Sequence, residues 1–236
     1  VKSSAAVYGS SPRDPALFTE DMGPKSLPRA GFGKDSVEVE GYVRGFSRRR
    51  PDVEISMLRL ANIVGPGIRT SLTDYFTLPV IPVPFGYDAR LQFVHEVDAV
   101  GSLLAATTGP ASGITNVAGD GVITLSQAAA VAGRPILPLP MPAAGVFGSI
   151  VKRSGLADFT SDQLQFLAFG RVLDTTRMRE VLGFEPRFTT RSAFEDFAHG
   201  VGSAIPGGAT LSSAVSGVAG SAATAIGHVW AAGRDD

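Results

Sequence analysis

Short apolar runs alternate with segments of helical period along most of this chain. That alternation constrains the fold more than any other feature. A strand–helix–strand unit returns the chain to the same end of a sheet, so its repetition builds parallel pairings and predicts an α/β domain with a mostly parallel sheet. Val1–Tyr8 reads as a strand already in progress, stopped by Gly9-Ser10-Ser11-Pro12. Residues 9–31 are rich in proline and glycine and read as a long surface loop. A helix is expected next, capped by Asp35 with Glu38 three residues on, burying Val39, Tyr42, Val43 and Phe46 and ending before Pro51. Val53–Leu60 reads as a buried strand and NIVGPG as its exit into a loop. Residues 79–86 cannot be a central strand, because their prolines lack the amide donor. A short strand in RLQFVH, a helix over Val97–Thr107 and a strand in GITNVAG follow. TLSQAAAVAG is a capped helix stopped by Gly133, and 134–145 read as irregular. Phe147–Lys152, Ser161–Phe169, TTRMREVLGFEP and TTRSAFEDFAHG are the remaining helices.

The 236 residues suit one large domain or two small interleaved ones, and 44% hydrophobic content is enough to bury a core. A net charge of −1 gives no bulk attraction to nucleic acid or anionic membrane. The basic run Arg48-Arg49-Arg50 reads as a solvated helix end, where cations suit the dipole. With no cysteine the chain has no disulfide, thiolate metal site or thiol nucleophile, and this fits a cytoplasmic location. The stretch 200–233 holds no Asp, Glu, Lys or Arg and is mostly Gly, Ala, Ser and Val. Leu211–Trp230 has the length of a membrane span, but its composition would insert poorly, so a loosely helical or disordered tail is expected.

Residues able to move protons are few. Of the three histidines, His199 and His228 have no evident partner in sequence. His95 is followed by Glu96 and Asp98, which could suggest a metal or catalytic pair. The plainer reading is a buried histidine at a strand–helix junction, with Asp98 opening the helix. No G-x-S-x-G elbow, G-x-G-x-x-G turn or P-loop occurs. The residues alone therefore lead to an α/β domain of unstated ligand.

The order of segments adds more. SSAAVYG, FGKDSVEVEGYV, MLRLANIVGPG, RLQFVHEVDAV, GITNVAGDGVITLSQAA and LDTTRMREVLGFEPRFTTRSAFEDF follow one another across residues 1–198. Together they resemble the C-terminal two-thirds of an extended short-chain dehydrogenase/reductase, most of all the NAD-dependent epimerase/dehydratase family that includes UDP-glucose 4-epimerase. The resemblance implies a Rossmann-like parallel sheet entered at the family's fifth strand, without the first strands and the glycine-rich turn that holds NAD. A sheet edge should then be open. It also implies an interleaved substrate domain at about 67–90 and 120–190, and a separate tail over 199–236.

By the same resemblance, Ser4 stands where the family's serine meets the sugar hydroxyl being oxidised, Ser3 and Leu60 lie beside the cofactor, and Asn62 and Arg90 hold the substrate's nucleotide phosphates. Asp98 is implied to be structural. The family's tyrosine base and the lysine that tunes it fall at Phe32 and Ser36. Phenylalanine has no proton to exchange and serine no charge to lower a pKa. None of the four tyrosines has a lysine four residues on, and Lys34 points away from Phe32. The implied protein is thus either an NAD-dependent nucleotide-sugar epimerase or dehydratase of atypical chemistry, a relative that binds a nucleotide or nucleotide sugar without turning it over, or a truncated inactive product. The family's habit of pairing through two helices per subunit would make the Asp35–Arg49 helix part of a homodimer face.

Overall fold

In the computed structural model, which describes residues 1–23, 27, 28, 31–139 and 161–201, three parallel strands run side by side. They are β1 (Lys2–Ser4), β2 (Ser56–Leu60) and β7 (Gly113–Val117), in the order β1-β2-β7. Register places Ser3, Arg59 and Asn116 in one row across the sheet, and Ser4, Leu60 and Val117 in the next. Strand side chains alternate, so these two rows face opposite sides. The first row lies under α1 (Gly31–Arg49); the opposite side packs on α3 (Glu96–Thr108), where Leu103 lies near Leu58. With both faces covered, Met57, Leu58, Arg59 and Leu60 are all buried, as a central parallel strand requires. β1 is an edge of this sheet among the described residues.

The other strands form three small sheets. β3 (Asn62–Val64) pairs in parallel with β6 (Phe93–His95), and β4 (Ile81–Pro84) with β9 (Ile136–Leu139). β5 (Arg90–Leu91) lies between β10 (Gly170–Arg171) and β8 (Ile123–Thr124), parallel to the first and antiparallel to the second. The helices α2 (Ser71–Thr77), α4 (Leu125–Val131), α5 (Ser161–Phe169), α6 (Thr176–Glu180) and α7 (Thr190–Val201) complete the described chain. The class is α/β with mostly parallel pairings. Two apolar clusters result. One gathers Val7, Leu58, Leu60, Val94, Val117 and Met178 around the three-stranded sheet. The other gathers Tyr75, Phe76, Ile81, Leu91, Phe93 and Phe194.

Several elements differ from the sequence reading, each for a local reason. The first strand stops at Ser4, because the Ser4 hydroxyl accepts from the Ala6 amide and turns residues Ala5–Tyr8 into a 3₁₀ helix that Gly9 closes at φ 69°. Helix α1 starts at Gly31, so Asp35 is an interior residue and not a cap. Gly33 brings the first turn close to Pro28 and the Ala6 carbonyl, which an added Cβ would meet at 3.0 and 3.3 Å. Its buried face also differs: Ser36 and Glu40 are buried, while Val39 and Tyr42 are exposed. The helix turns polar groups inward because the sheet row below it is polar. NIVGPG begins with β3 rather than leaving directly as a loop.

Residues 136–139, read as irregular, form β9 against the proline-bearing β4. The pairing tolerates Pro82 and Pro84 because Ile81 and Phe85, at alternate positions, donate to Pro135 and Leu139. Pro82 and Pro84, though buried, have their missing amides on the side of β4 away from β9, where the pairing needs no donor. α3 is capped by His95 and not Asp98. The C-terminal helix continues to Val201, past the composition boundary at 199. The expected helix Phe147–Lys152 and the tail beyond 201 lie outside the described residues. Among the described residues no helix is long and apolar enough to cross a membrane.

Phe194 is fully buried between Phe76 (ring centroids 4.8 Å, edge-on) and Phe93 (5.3 Å, stacked). Phe194→Ala should lower unfolding free energy by about 3–5 kcal/mol, through lost burial and a cavity the rigid rings cannot fill. Chemical denaturation checks this: an unchanged midpoint would show that α7 is not anchored here.

Candidate functional site

The polar row of the sheet is organised by one buried ion pair. Arg59 Nε and Nη2 donate to Glu40 Oε1 and Oε2 at 2.9 and 2.8 Å, with both side chains nearly closed to solvent. Ser3 Oγ donates to Glu40 Oε1 at 2.7 Å, and Arg44 reaches Oε2 from the solvent side at 3.0 Å. Arg59 Nη1 donates to the Tyr8 hydroxyl at 2.8 Å and to the Glu20 carbonyl at 3.1 Å. Tyr8 in turn lies 2.8 Å from Asn116 Oδ1, and Asn116 Nδ2 donates to the Phe18 carbonyl. The network thus ties α1, all three strands and the loop at 18–20 to one another. Burial pushes the Glu40 carboxyl up, but hydrogen bonds from Arg59 and Ser3 outweigh it and hold Glu40 below the usual carboxylate range. Burial dominates at Tyr8 and raises its phenol, against the pull of Arg59.

At the carboxyl ends of these strands lie most of the residues singled out from sequence. In open parallel sheets this is where ligands gather. Ser4 is half-buried, and its hydroxyl accepts from Ala6. Leu60, its register neighbour, is buried. Asn62 is half-buried at the start of β3, opposite Phe93. Ser3 is on the other side of β1, bound to Glu40. Phe32 and Ser36 sit on the first turns of α1, which pack over the 3₁₀ helix. Phe32 is 61% exposed, and the Lys2 ammonium stands 5.7 Å from its ring centroid. Ser36 is buried and donates to the Phe32 carbonyl at 2.7 Å. Its hydroxyl is consumed by its own helix. Lys34 pairs with Glu38 on the exposed face, away from the strand ends. This corner therefore offers hydroxyls and an exposed ring, but neither position holds a group able to take or tune a proton.

Arg90 is not part of the gathering. It is exposed on β5 and donates at 3.3 Å to the Ala16 carbonyl of the loop. His95 is buried at the strand–helix junction, where its Nδ1 accepts from the Val97 amide. Its Nε2 meets Asp196 at 2.9 Å, and its ring stacks on Phe188 at 3.8 Å. Asp98 accepts from the amides of Arg187 and Phe188, so it fastens the segment before α7. Among the described residues no three His, Asp or Glu side chains gather as a metal set.

Sequence reasoning passed over Glu40, Arg59, Tyr8 and Asn116. The available signal was a charged residue inside an otherwise apolar strand, MLRL, which only a buried partner can accommodate.

No family model matches the chain. An uncharacterized protein of Mycobacterium tuberculosis (strain H37Rv) is 46% identical over 204 residues, which are 86% of this chain and 54% of that protein. A second uncharacterized protein of the same strain is 28% identical over 177 residues, 73% of this chain and 19% of that protein. The chain thus spans about half the length of the first relative it matches. Among solved structures, dTDP-glucose 4,6-dehydratase from Bacillus anthracis in complex with NAD superposes with a TM-score of 0.60 at 14% identity, over 84% of this chain and 60% of that one. UDP-glucose 4-epimerase with UDP-glucose from Thermotoga maritima gives 0.60 at 18%, over 84% and 61%. UDP-glucuronic acid 4-epimerase from Bacillus cereus in complex with NAD gives 0.55 at 16%, over 85% and 60%. At these identities the likeness establishes a shared Rossmann-like fold.

Arg59→Met leaves Glu40 buried with its main partner gone and should cost about 3–5 kcal/mol in denaturation. The pH dependence has a definite sign. Glu40 is lowered in the folded state, so its contribution is complete above the ordinary value of 4.5. It is lost as pH falls from there through the lowered value. In Glu40→Gln that part of the acid destabilisation should vanish, and an unchanged slope of stability against pH below 4.5 would remove Glu40 as its source.

Proposed function

We propose that this chain belongs to a nucleotide-sugar-binding protein of the epimerase/dehydratase kind, one that binds its ligand at the carboxyl ends of β1 and β2 without the usual proton transfer. The supporting observation is the corner made by Phe32 and Ser36. Phe32 is exposed on the first turn of α1 with the Lys2 ammonium 5.7 Å from its ring centroid, and the Ser36 hydroxyl donates to the Phe32 carbonyl. General acid–base help is typically worth about a hundred- to ten-thousand-fold in rate, so a site lacking it keeps binding and loses most turnover. In this reading Ser4 meets a sugar hydroxyl, Asn62 serves the nucleotide phosphates, and NAD is the cofactor, lying near Leu60; Arg90, turned to the Ala16 carbonyl, and Ser3, turned under α1 to Glu40, take no part in it. The fold shared with the NAD-bound dehydratase supports NAD; the chain itself carries no glycine-rich dinucleotide turn. A homodimer through α1 belongs to the same proposal, supported by the outward Val39 and Tyr42 on that helix.

Binding of NAD and UDP-glucose, followed by epimerisation and dehydration assays, tests this. The natural protein should bind UDP-glucose and turn it over negligibly, and Phe32→Tyr with Ser36→Lys should raise turnover at least a hundredfold wherever NAD is held. Efficient turnover by the natural protein, with no gain from the double change, would overturn the reading. Tyr42→Glu should shift a sedimenting dimer to monomer; an unchanged dimer would place the interface elsewhere.

A further inference from the structure

Arg171 differs from Arg59 in the way that matters for ligands. Arg59 is matched by a bidentate carboxylate, and its charge is satisfied inside the fold. Arg171 bonds only to neutral acceptors: Nε donates to the Gly9 carbonyl at 2.8 Å and Nη2 to Ser10 Oγ at 3.1 Å. Among the described residues it forms no ion pair, and its Nη1 makes no hydrogen bond. The carboxylates of Asp14 and Asp162 and the Tyr8 phenol act on it only at longer range. The Asp14 Oδ2 is occupied by the Ser11 amide.

The guanidinium is nevertheless held in a fixed plane. Its carbon sits 5.3 Å from the Phe166 ring centroid, and the Nε–Nη2 edge is pinned by the loop. Ser10 closes the arrangement by donating to the Gly170 carbonyl. Gly170 is itself obligatory, since φ is 71° and a Cβ would collide with the Arg90 backbone. Arg171 is half-buried, and burial lowers its guanidinium to about 10 against the opposing pull of Asp14, Tyr8 and Asp162. A planar donor fork fixed on one edge and unfilled on the other is arranged to receive an oxyanion. Its location agrees: Gly9 and Ser10 directly follow the 3₁₀ helix that Ser4 caps. Arg90 cannot share the task. Register sets Arg171 beside the buried Leu91, so Arg90 faces the other side of that sheet.

We propose that Arg171 is a ligand-contacting residue whose Nη1 edge receives an oxyanion, a phosphoryl or carboxylate group, of the molecule bound at the end of β1. The proposal rests on the nucleotide-sugar reading above. Calorimetric titration of the chain and of Arg171→Met with UDP, UDP-glucose and UDP-glucuronic acid tests it. Loss of a charge-assisted contact should weaken binding roughly tenfold to a hundredfold. Equal weakening for all three ligands identifies a phosphate contact, and weakening for UDP-glucuronic acid alone identifies a sugar carboxylate. Arg171→Lys, which keeps the charge without the fork, should fall between, and it serves as the test variant if Arg171→Met does not fold. Ser10→Ala removes one anchor and keeps the guanidinium, so it should stay within about threefold. Binding of all three ligands by Arg171→Met within twofold of the natural chain would overturn the proposal. If the natural chain binds none of them, the nucleotide reading fails. Inorganic pyrophosphate then decides: binding weakened by Arg171→Met keeps the oxyanion contact, and absent or unaltered binding removes it.

Discussion

The pairing of Glu40 with Arg59 is the constraint on which the rest of the structure depends. A charge in the middle strand of a covered sheet is tolerable only when matched at close range with its remaining donors filled. Here each end of the pair is filled by a different element: Ser3 from β1, Tyr8 from the 3₁₀ helix, the Glu20 carbonyl from the loop and Arg44 from the helix itself. The pair fixes which face of α1 looks inward. It therefore fixes where Phe32 and Ser36 stand relative to the strand ends.

That orientation decides what positions 32 and 36 can offer. A serine at position 36 could have offered a hydroxyl to a ligand, but it bonds one turn back along its own helix. A phenylalanine at position 32 could have been core, but it is mostly exposed. The corner presents an aromatic ring to solvent, and neither position is equipped to exchange protons. Shape and chemistry are separable here because the helix is placed by Glu40, two turns away from Phe32.

Arg59 and Arg171 show how one side chain serves two ends. Glu40 and Tyr8 hold the Arg59 guanidinium above its ordinary value despite burial, whereas burial prevails at Arg171. The first arrangement is closed and stabilises the fold. The second leaves one donor edge unfilled beside the segment that follows the site, and its attachments to Gly9 and Ser10 keep it aligned.

Much of the fold was legible in the sequence, because strand and helix periods are local properties. The strands at 56–60 and 113–117, the helix Ser161–Phe169 and the capping of α4 by Thr124 all follow from patterns a few residues long. The prolines at 82 and 84 likewise excluded a central strand at 79–86, though not the pairing with β9 that the structure shows. What failed was anything requiring knowledge of the facing surface. The apolar stripe of α1 pointed to the wrong face, since amphipathicity assumes an apolar partner and the sheet row opposite is Ser3, Arg59 and Asn116. His95 displaced Asp98 as the cap of α3 because Asp98 was drawn to the amides of Arg187 and Phe188, about ninety residues distant. That Phe32 and Ser36 can neither take nor tune a proton was visible in the sequence alone, since identity decides whether a side chain can carry one. Only tertiary structure decided which arginine is satisfied and which is left open, because a charge is compensated by neighbours in space and not by neighbours along the chain.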